Sequence, residues 1–206
     1  MKVAQLSGSP RANVGKKGTA ADRNAGLVPC VLYGQGTQTH FTVTVNAINK
    51  IIFSPEVYKV ELDIAGKKTF AVVKDLQQDN IKDTIKHVDF YELNDKKAIR
   101  LGLPVRLVGT SPGIMAGGKL QQVFRRLTVE GYVKDMPDAI YINIAKLKIG
   151  KSARVGQLEI PGLKFLDPKG AVVVSVKMAR GAAKPVGNDD DDIDDGLGFI
   201  VAAPAQ

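Results

Sequence analysis

The chain has no tryptophan, one cysteine and two histidines among 206 residues, and each shortage closes a class of function. A lone cysteine forms no internal disulfide, and so few thiol and imidazole groups cannot supply the donor set of a structural zinc site. Aromatic residues make up 6% of the chain against 21 glycines, a composition that favours a β-rich body with many turns over a helical bundle. No apolar run approaches the roughly 20 residues needed to cross a bilayer, so no membrane span is expected. The opening MKVAQLSGSPR lacks the apolar stretch of a secretion signal, which places the protein in the cytoplasm as an expectation.

What is present is apolar content enough for packed cores, 44%, and a strong positive charge, +8. The charge is uneven. Residues 1–95 hold twelve basic and ten acidic side chains, whereas residues 96–180 hold sixteen and five. Residues 181–206 reverse the sign, with six aspartates against one lysine. A basic body of this kind suits a polyanionic partner.

Hydrophobic periodicity predicts mainly β structure with some helix (α+β): an N-terminal small β-barrel with one or two short helices over 1–95, a second mostly-β domain over 96–180 and an acidic tail over 181–206. In the first part, strands are expected over Val3–Ser7, Val28–Tyr33, His40–Val45, Val57–Ile64, Lys68–Leu76 and Lys86–Leu93. The last two before the final strand should form a hairpin across Ala65-Gly66-Lys67. Ile48, Ile51 and Ile52 fall at helical spacing after Asn46, a good cap, with Pro55 just past the end. In the second part, Ile99 to Leu107 alternates strictly, QQVFRRLTV and Ile140 to Ile144 continue the pattern, and Ala171–Val176 supplies a late strand. Lys146–Gly150 reads as one helical turn, and Thr110–Lys119 as a Gly-rich loop too long for a simple hairpin connection and hence a candidate contact surface.

The stretch Gly15–Gly34, GKKGTAADRNAGLVPCVLYG, has the densest chemistry. Glycines and small residues let backbone approach a partner while Lys16 and Lys17 bring positive charge, a combination that suits a phosphate backbone. Thr19 is positioned to cap a helical turn over Ala20–Ala25, with Arg23 one turn on and Gly26 as the stop. Cys30 lies inside an apolar strand and reads as a small buried hydrophobe, and His40 as a strand-edge residue.

Two enzyme-like signals are weighed against plainer readings. GIMAGGK, Gly113–Lys119, has the spacing of a nucleotide phosphate loop, but Leu120 stands where a magnesium-binding hydroxyl is required and a strand follows where a helix should. His87 and Asp89 share one strand face and can pair, but no nucleophile or oxyanion motif accompanies them. The chain is therefore read as a non-enzyme with no cofactor and no metal.

With PCVLYG (Pro29–Gly34), KDLQ (Lys74–Gln77) and HVDF (His87–Phe90) in this order and spacing, the chain resembles the bacterial twenty-fifth protein of the large ribosomal subunit, in its longer, general-stress two-domain form. The resemblance spans about Val3 to Lys177, and the alternative reading beside it is a stress-response factor that binds RNA or protein away from the ribosome. The resemblance implies a ribosomal partner, 5S ribosomal RNA bound at a bulged internal helix of irregular pairs, possible contacts with neighbouring ribosomal proteins, and an RNA-binding face of Arg11, Lys16, Lys17, Thr19, Arg23, Tyr33, Gln77, His87 and Asp89. The likeness departs at Ala20 and Ala21, where many members of that family carry two arginines.

The tail is open to two readings. Asp189–Asp192, Asp194 and Asp195 repel one another and suit a solvated tail, whereas Leu197, Phe199, Ile200 and Val201 directly after them suit an anchor in which the Asp block lies on a basic surface and the apolar end fills a groove.

Overall fold

A computed structural model of the protein describes residues 1–178; the expected acidic tail lies outside the described residues. The described residues divide into two compact units, which part between Lys97 and Ala98. Each is built on β structure, and each is taken by itself.

In the first unit the elements run β1 (Lys2–Pro10), α1 (Lys16–Asn24), β2 (Leu27–Tyr33), β3 (Gln38–Thr44), α2 (Val45–Ile52), β4 (Tyr58–Ile64), β5 (Lys67–Gln78) and β6 (Ile85–Glu92). The six strands close into a barrel in the order β1-β3-β2-β6-β5-β4, with β1 parallel to β4 and β2 parallel to β6. Alternation drives the closure, because every second residue must leave water. Val28, Cys30 and Leu32 of β2, Val60 and Leu62 of β4 and Val88 and Phe90 of β6 turn inward. Phe41 and Phe90 fill the middle, their ring centres 5.7 Å apart. Ile48 of α2 is fully buried against this core.

Several local expectations change. β1 runs on to Pro10, because at Gly8 it leaves β4 and takes up β3, the pair Gly8–Ile64 giving way to Ser9–Thr42. A Cβ on Gly8 would lie 2.6 Å from the Phe41 ring, so only glycine lets the strand cross there. Helix α2 starts at Val45, one residue before the expected cap Asn46, since Val45 N–H already donates to Gly26 O at 3.1 Å. The β4–β5 turn has two residues, Ala65 and Gly66 at φ +51 and +84, tighter than the three expected and of the hand that fits twisted strands. His40 is not at a strand edge. A closed barrel has none, and β3 pairs through Val31 on one side while His40 O accepts from Arg11 N–H on the other.

The second unit holds β7 (Ile99–Val108), α3 (Pro112–Met115), β8 (Gly118–Gln122), β9 (Arg126–Gly131), β10 (Ile140–Asn143), β11 (Ser152–Arg154), β12 (Leu163–Phe165) and β13 (Val172–Met178). They form two sheets, β10-β7-β9-β12 and β11-β13-β8. QQVFRRLTV is therefore not one strand. Its first residues end β8 against β13, its last belong to β9 against β7, and Val123 between them is 52% exposed while Leu127 and Val129 are buried. Lys146–Gly150 is likewise no helical turn but part of two tight turns, closed by Leu147 N–H to Ile144 O and Lys151 N–H to Lys148 O, with Gly150 at φ +85.

The Gly-rich stretch 110–119 is pinned to the fold at Ser111, Gly113 and Gly118 and exposed elsewhere. Buried Ser111 caps α3, its Oγ accepting from Gly113 N–H and donating to Leu147 O. A Cβ on Gly113 would sit 2.8 Å from the backbone of Lys148 and Ile149, and one on Gly118 would sit 2.5 Å from Gly113 O. A phosphate loop needs outward, unused amides, and here the Gly113 amide is turned inward. Thr110, Pro112, Ile114–Gly117 and Lys119 stay exposed as contact surface. Gly113→Ala is expected to lower stability by about 1–3 kcal/mol through overpacking. Urea unfolding would show this as a lower midpoint with an unchanged slope.

Candidate nucleic-acid interface

Strand β2 is apolar on both faces, and Pro29 and Val31 on its outer side are buried as well. Helix α1, which packs against β2, is polar and buries no residue of its own. Two arginines hold it instead. Arg11, with its side chain 6% exposed, sets Nε 2.8 Å from Asp22 Oδ2 at an angle too bent for a hydrogen bond, so that contact is ionic, and its Nη2 donates to Asn13 O at 3.0 Å. Arg23 reaches across to β6 and gives Nε and Nη2 to Lys86 O at 3.1 and 3.0 Å.

The helix starts earlier than its composition predicts. Gly15 is the N-cap and Lys16 and Lys17 form the first turn, both exposed. Thr19 is thus not a cap. One turn inside, its Oγ1 donates back to Gly15 O and Lys16 O. Gly18 is needed because a Cβ there would lie 2.8 Å from Asn13 O in the loop beneath. Ala20 and Ala21 are exposed on the same helix.

The outward face of β5, β6 and β2 is set by two β-bulges. On β5, Val73 and Leu76 both pack into the core, which strict alternation forbids; the ladder shifts between Val73 and Asp75, so Lys74 is the extra residue. By taking up Lys74, the bulge keeps Asp75 and Gln77 outward. On β6 the ladder shifts between the pairs Gln77–His87 and Gln78–Ile85, which leaves Lys86 unpaired and its carbonyl available to Arg23. Across the face, Gln77 stands opposite His87, Asp75 opposite Asp89, and Tyr33 beside Tyr91.

His87 Nδ1 lies 2.7 Å from Asp89 Oδ1, both side chains partly exposed, which fixes the ring and leaves Nε2 for an outside partner. Tyr33 meets Tyr91 edge to face at 5.8 Å, and Lys97 Nζ lies 5.8 Å from the Tyr91 ring centre. Burial first, then the charges of Asp89 and Asp75, push the Tyr33 hydroxyl up from its ordinary pKa, so it stays a neutral donor. The fold therefore brings Tyr33, Gln77, His87 and Asp89 onto one surface, with α1 and its lysines packed on the neighbouring strand. Asp75, Lys86 and Tyr91 join them without having been read as site residues. Tyr91 was legible from the parity of His87 and Asp89, while Asp75 was hidden by the bulge.

Cys30 points into the barrel, and burial with the charge of Asp89 pushes its thiol up to about 12. The native protein is expected to resist alkylation by iodoacetamide at pH 8 and to react once unfolded in guanidinium, a difference that mass spectrometry would read. Among the described residues no group of three or more His, Cys, Asp or Glu side chains could hold a metal ion, and no helix is long and apolar enough to cross a membrane.

Residues 6–90 match the family model described as the Ribosomal L25p family, and residues 98–180 match that of the ribosomal protein TL5 C-terminal domain. The chain is 43% identical over 168 residues to the large ribosomal subunit protein bL25 of Bacteroides thetaiotaomicron, covering 80% of this chain and 86% of that one. It is 45% identical to the bL25 of Bacteroides fragilis over the same shares. With the bL25 of Phocaeicola vulgatus the identity is 38% over 197 residues, 91% of this chain and all of the relative. Two consecutive domain matches and relatives aligned over nearly their whole length lead to one assignment: the chain belongs to the L25p family of ribosomal proteins.

Proposed function

We propose that this protein is a non-catalytic component of the large ribosomal subunit and binds 5S ribosomal RNA through the outer face of β2, β6 and β5 together with α1. The observation that carries this reading is the pair of bulges, which aims Gln77 and His87 outward side by side. Donors and acceptors on a rigid sheet suit the base edges of a widened, irregular minor groove, which regular A-form RNA does not offer. Lys16 and Lys17 on the adjoining helix reach phosphate, with Thr19 close behind them. Arg11 and Arg23 serve first as clamps that fix the helix, Arg23 being exposed enough to touch phosphate as well. The basic second unit, with exposed Lys119, Arg125 and Arg126, adds general attraction to RNA.

The test is a band-shift titration of the full chain with 5S rRNA and with a length-matched duplex over a salt series. Tighter binding to 5S rRNA at every salt concentration is expected. Equal affinity would reduce the interaction to phosphate attraction and end the reading. Cosedimentation with large subunits at moderate salt separates it from a factor that acts elsewhere.

Helix α1 offers a gain-of-function check. Ala20→Arg with Ala21→Arg places two cations on exposed positions of a helix already clamped in place. Affinity should rise for all RNAs, and the slope of log K against log salt should steepen by somewhat less than one unit per added contact.

A further inference from the structure

We infer that Ile81, at the tip of the β5–β6 hairpin, is a preformed apolar contact for RNA that seats against the sugar edge of the groove entered by Gln77 and His87. This rests on the RNA-binding reading above. Ile81 is 92% exposed, more than any other large apolar side chain among the described residues. Single exposed apolar residues are ordinary, but this one stands on a loop braced from within. Asp79 N–H donates to Thr84 O at 2.9 Å, which closes the loop. Asp79 Oδ1 accepts from Ile81 N–H at 2.9 Å and from Lys82 N–H at 3.3 Å, while Oδ2 pairs with Lys86 Nζ at 2.8 Å. Gln78 Nε2 adds a bond to Asp83 Oδ1 at 3.3 Å. The Lys86 hydrogen bond and the two amides hold the Asp79 carboxyl down to about 2, so the brace stays charged at any physiological pH.

A braced isoleucine has already lost most of the backbone freedom that binding would otherwise remove, so contact at this position costs less. Its surroundings favour RNA over an apolar protein pocket. Lys82 is exposed beside it, Lys86 stands at the base of the loop with Arg23 on its carbonyl, and the Gln77–His87 pair is the next outward rung of the same hairpin. Tip and face therefore lie on one strand pair and approach the same groove, where ribose C–H edges give an aliphatic side chain something to cover.

An apolar contact releases no counterions, and this gives the inference its signature. In the full chain, Ile81→Ala is expected to weaken 5S rRNA binding about tenfold, as for partial loss of three buried carbons, while the salt slope stays that of the unsubstituted protein. Ile81→Leu should restore most of the affinity, and neither change should move the melting temperature of so exposed a position. Unchanged affinity for Ile81→Ala would overturn the inference, as would a loss accompanied by a flatter salt slope. Normal RNA affinity with weakened retention on large subunits would also overturn it and assign the tip to a protein neighbour. Failure of the underlying reading shows separately, as an unsubstituted chain with no preference for 5S rRNA over duplex.

Discussion

Deleting Lys74 and Asp75 together is expected to abolish the preference for 5S rRNA and to destabilise the first unit by several kcal/mol, whereas deleting Lys74 alone should do little to either. The difference isolates strand parity from side-chain chemistry. Lys74 is the extra residue between Val73 and Asp75, and the bulge that takes it up lets both Val73 and Leu76 face the core while Asp75 and Gln77 face out. Removing Lys74 alone straightens the ladder and leaves that order intact, Val73 in, Asp75 out, Leu76 in and Gln77 out. Removing Asp75 as well sets Leu76 directly after Val73, so alternation turns Leu76 into water and Gln77 toward Val88 and Phe90. Exposing the leucine costs about 1.5–3 kcal/mol, and an amide buried without partners about 1–3 kcal/mol more. The chain has one escape, which is to slide the end of β5 until Leu76 regains the core, and that displaces Gln77 from His87. Either outcome removes the face. Urea denaturation and a 5S rRNA titration measure the two halves of the prediction, and a double-deletion variant with normal stability and normal RNA preference would show that strand parity does not set the face.

The same bulge marks the limit of what the residues reveal by pattern alone. Period-2 alternation was sufficient for β4 and β7, and for the outward placement of His87 and Asp89 between buried Val88 and Phe90, because each of those stretches keeps one parity throughout. KDLQ keeps none. Its membership of the site came through a resemblance to a ribosomal family, while the physical reason, an inserted lysine, became visible only in the ladder. Closure of the barrel was similarly out of reach, since the crossing of β1 from β4 to β3 depends on Gly8 passing over the Phe41 ring, a contact between residues 33 apart. The start of α1 was missed for a local reason. Thr19 is a good cap by type, but Gly15 together with the loop under Gly18 starts the helix a turn sooner, which moves Lys16 and Lys17 from a loop onto the helix.

Among single side chains the largest functional loss is expected at His87 and Asp89, and it should appear as lost discrimination with little loss of general RNA affinity. Each single change, His87→Ala or Asp89→Ala, is expected to reduce the preference for 5S rRNA over a length-matched duplex by about tenfold to a hundredfold, the range of a well-made base-edge contact. The 2.7 Å contact between them predicts strong coupling. With Asp89 gone the imidazole loses the partner that orients it; with His87 gone the carboxylate remains beside Asp75, a like charge across the ladder. The double variant should therefore lose little more than either single one, which is the non-additivity of two residues acting as one unit. Neither change should flatten the salt dependence, since the pair holds no net positive contact to phosphate. Lys16→Ala provides the contrast, weakening every RNA alike and lowering the slope by somewhat less than one unit. Measured as a double-mutant cycle across a salt series, an intact preference in His87→Ala would remove this strand face from the RNA contact.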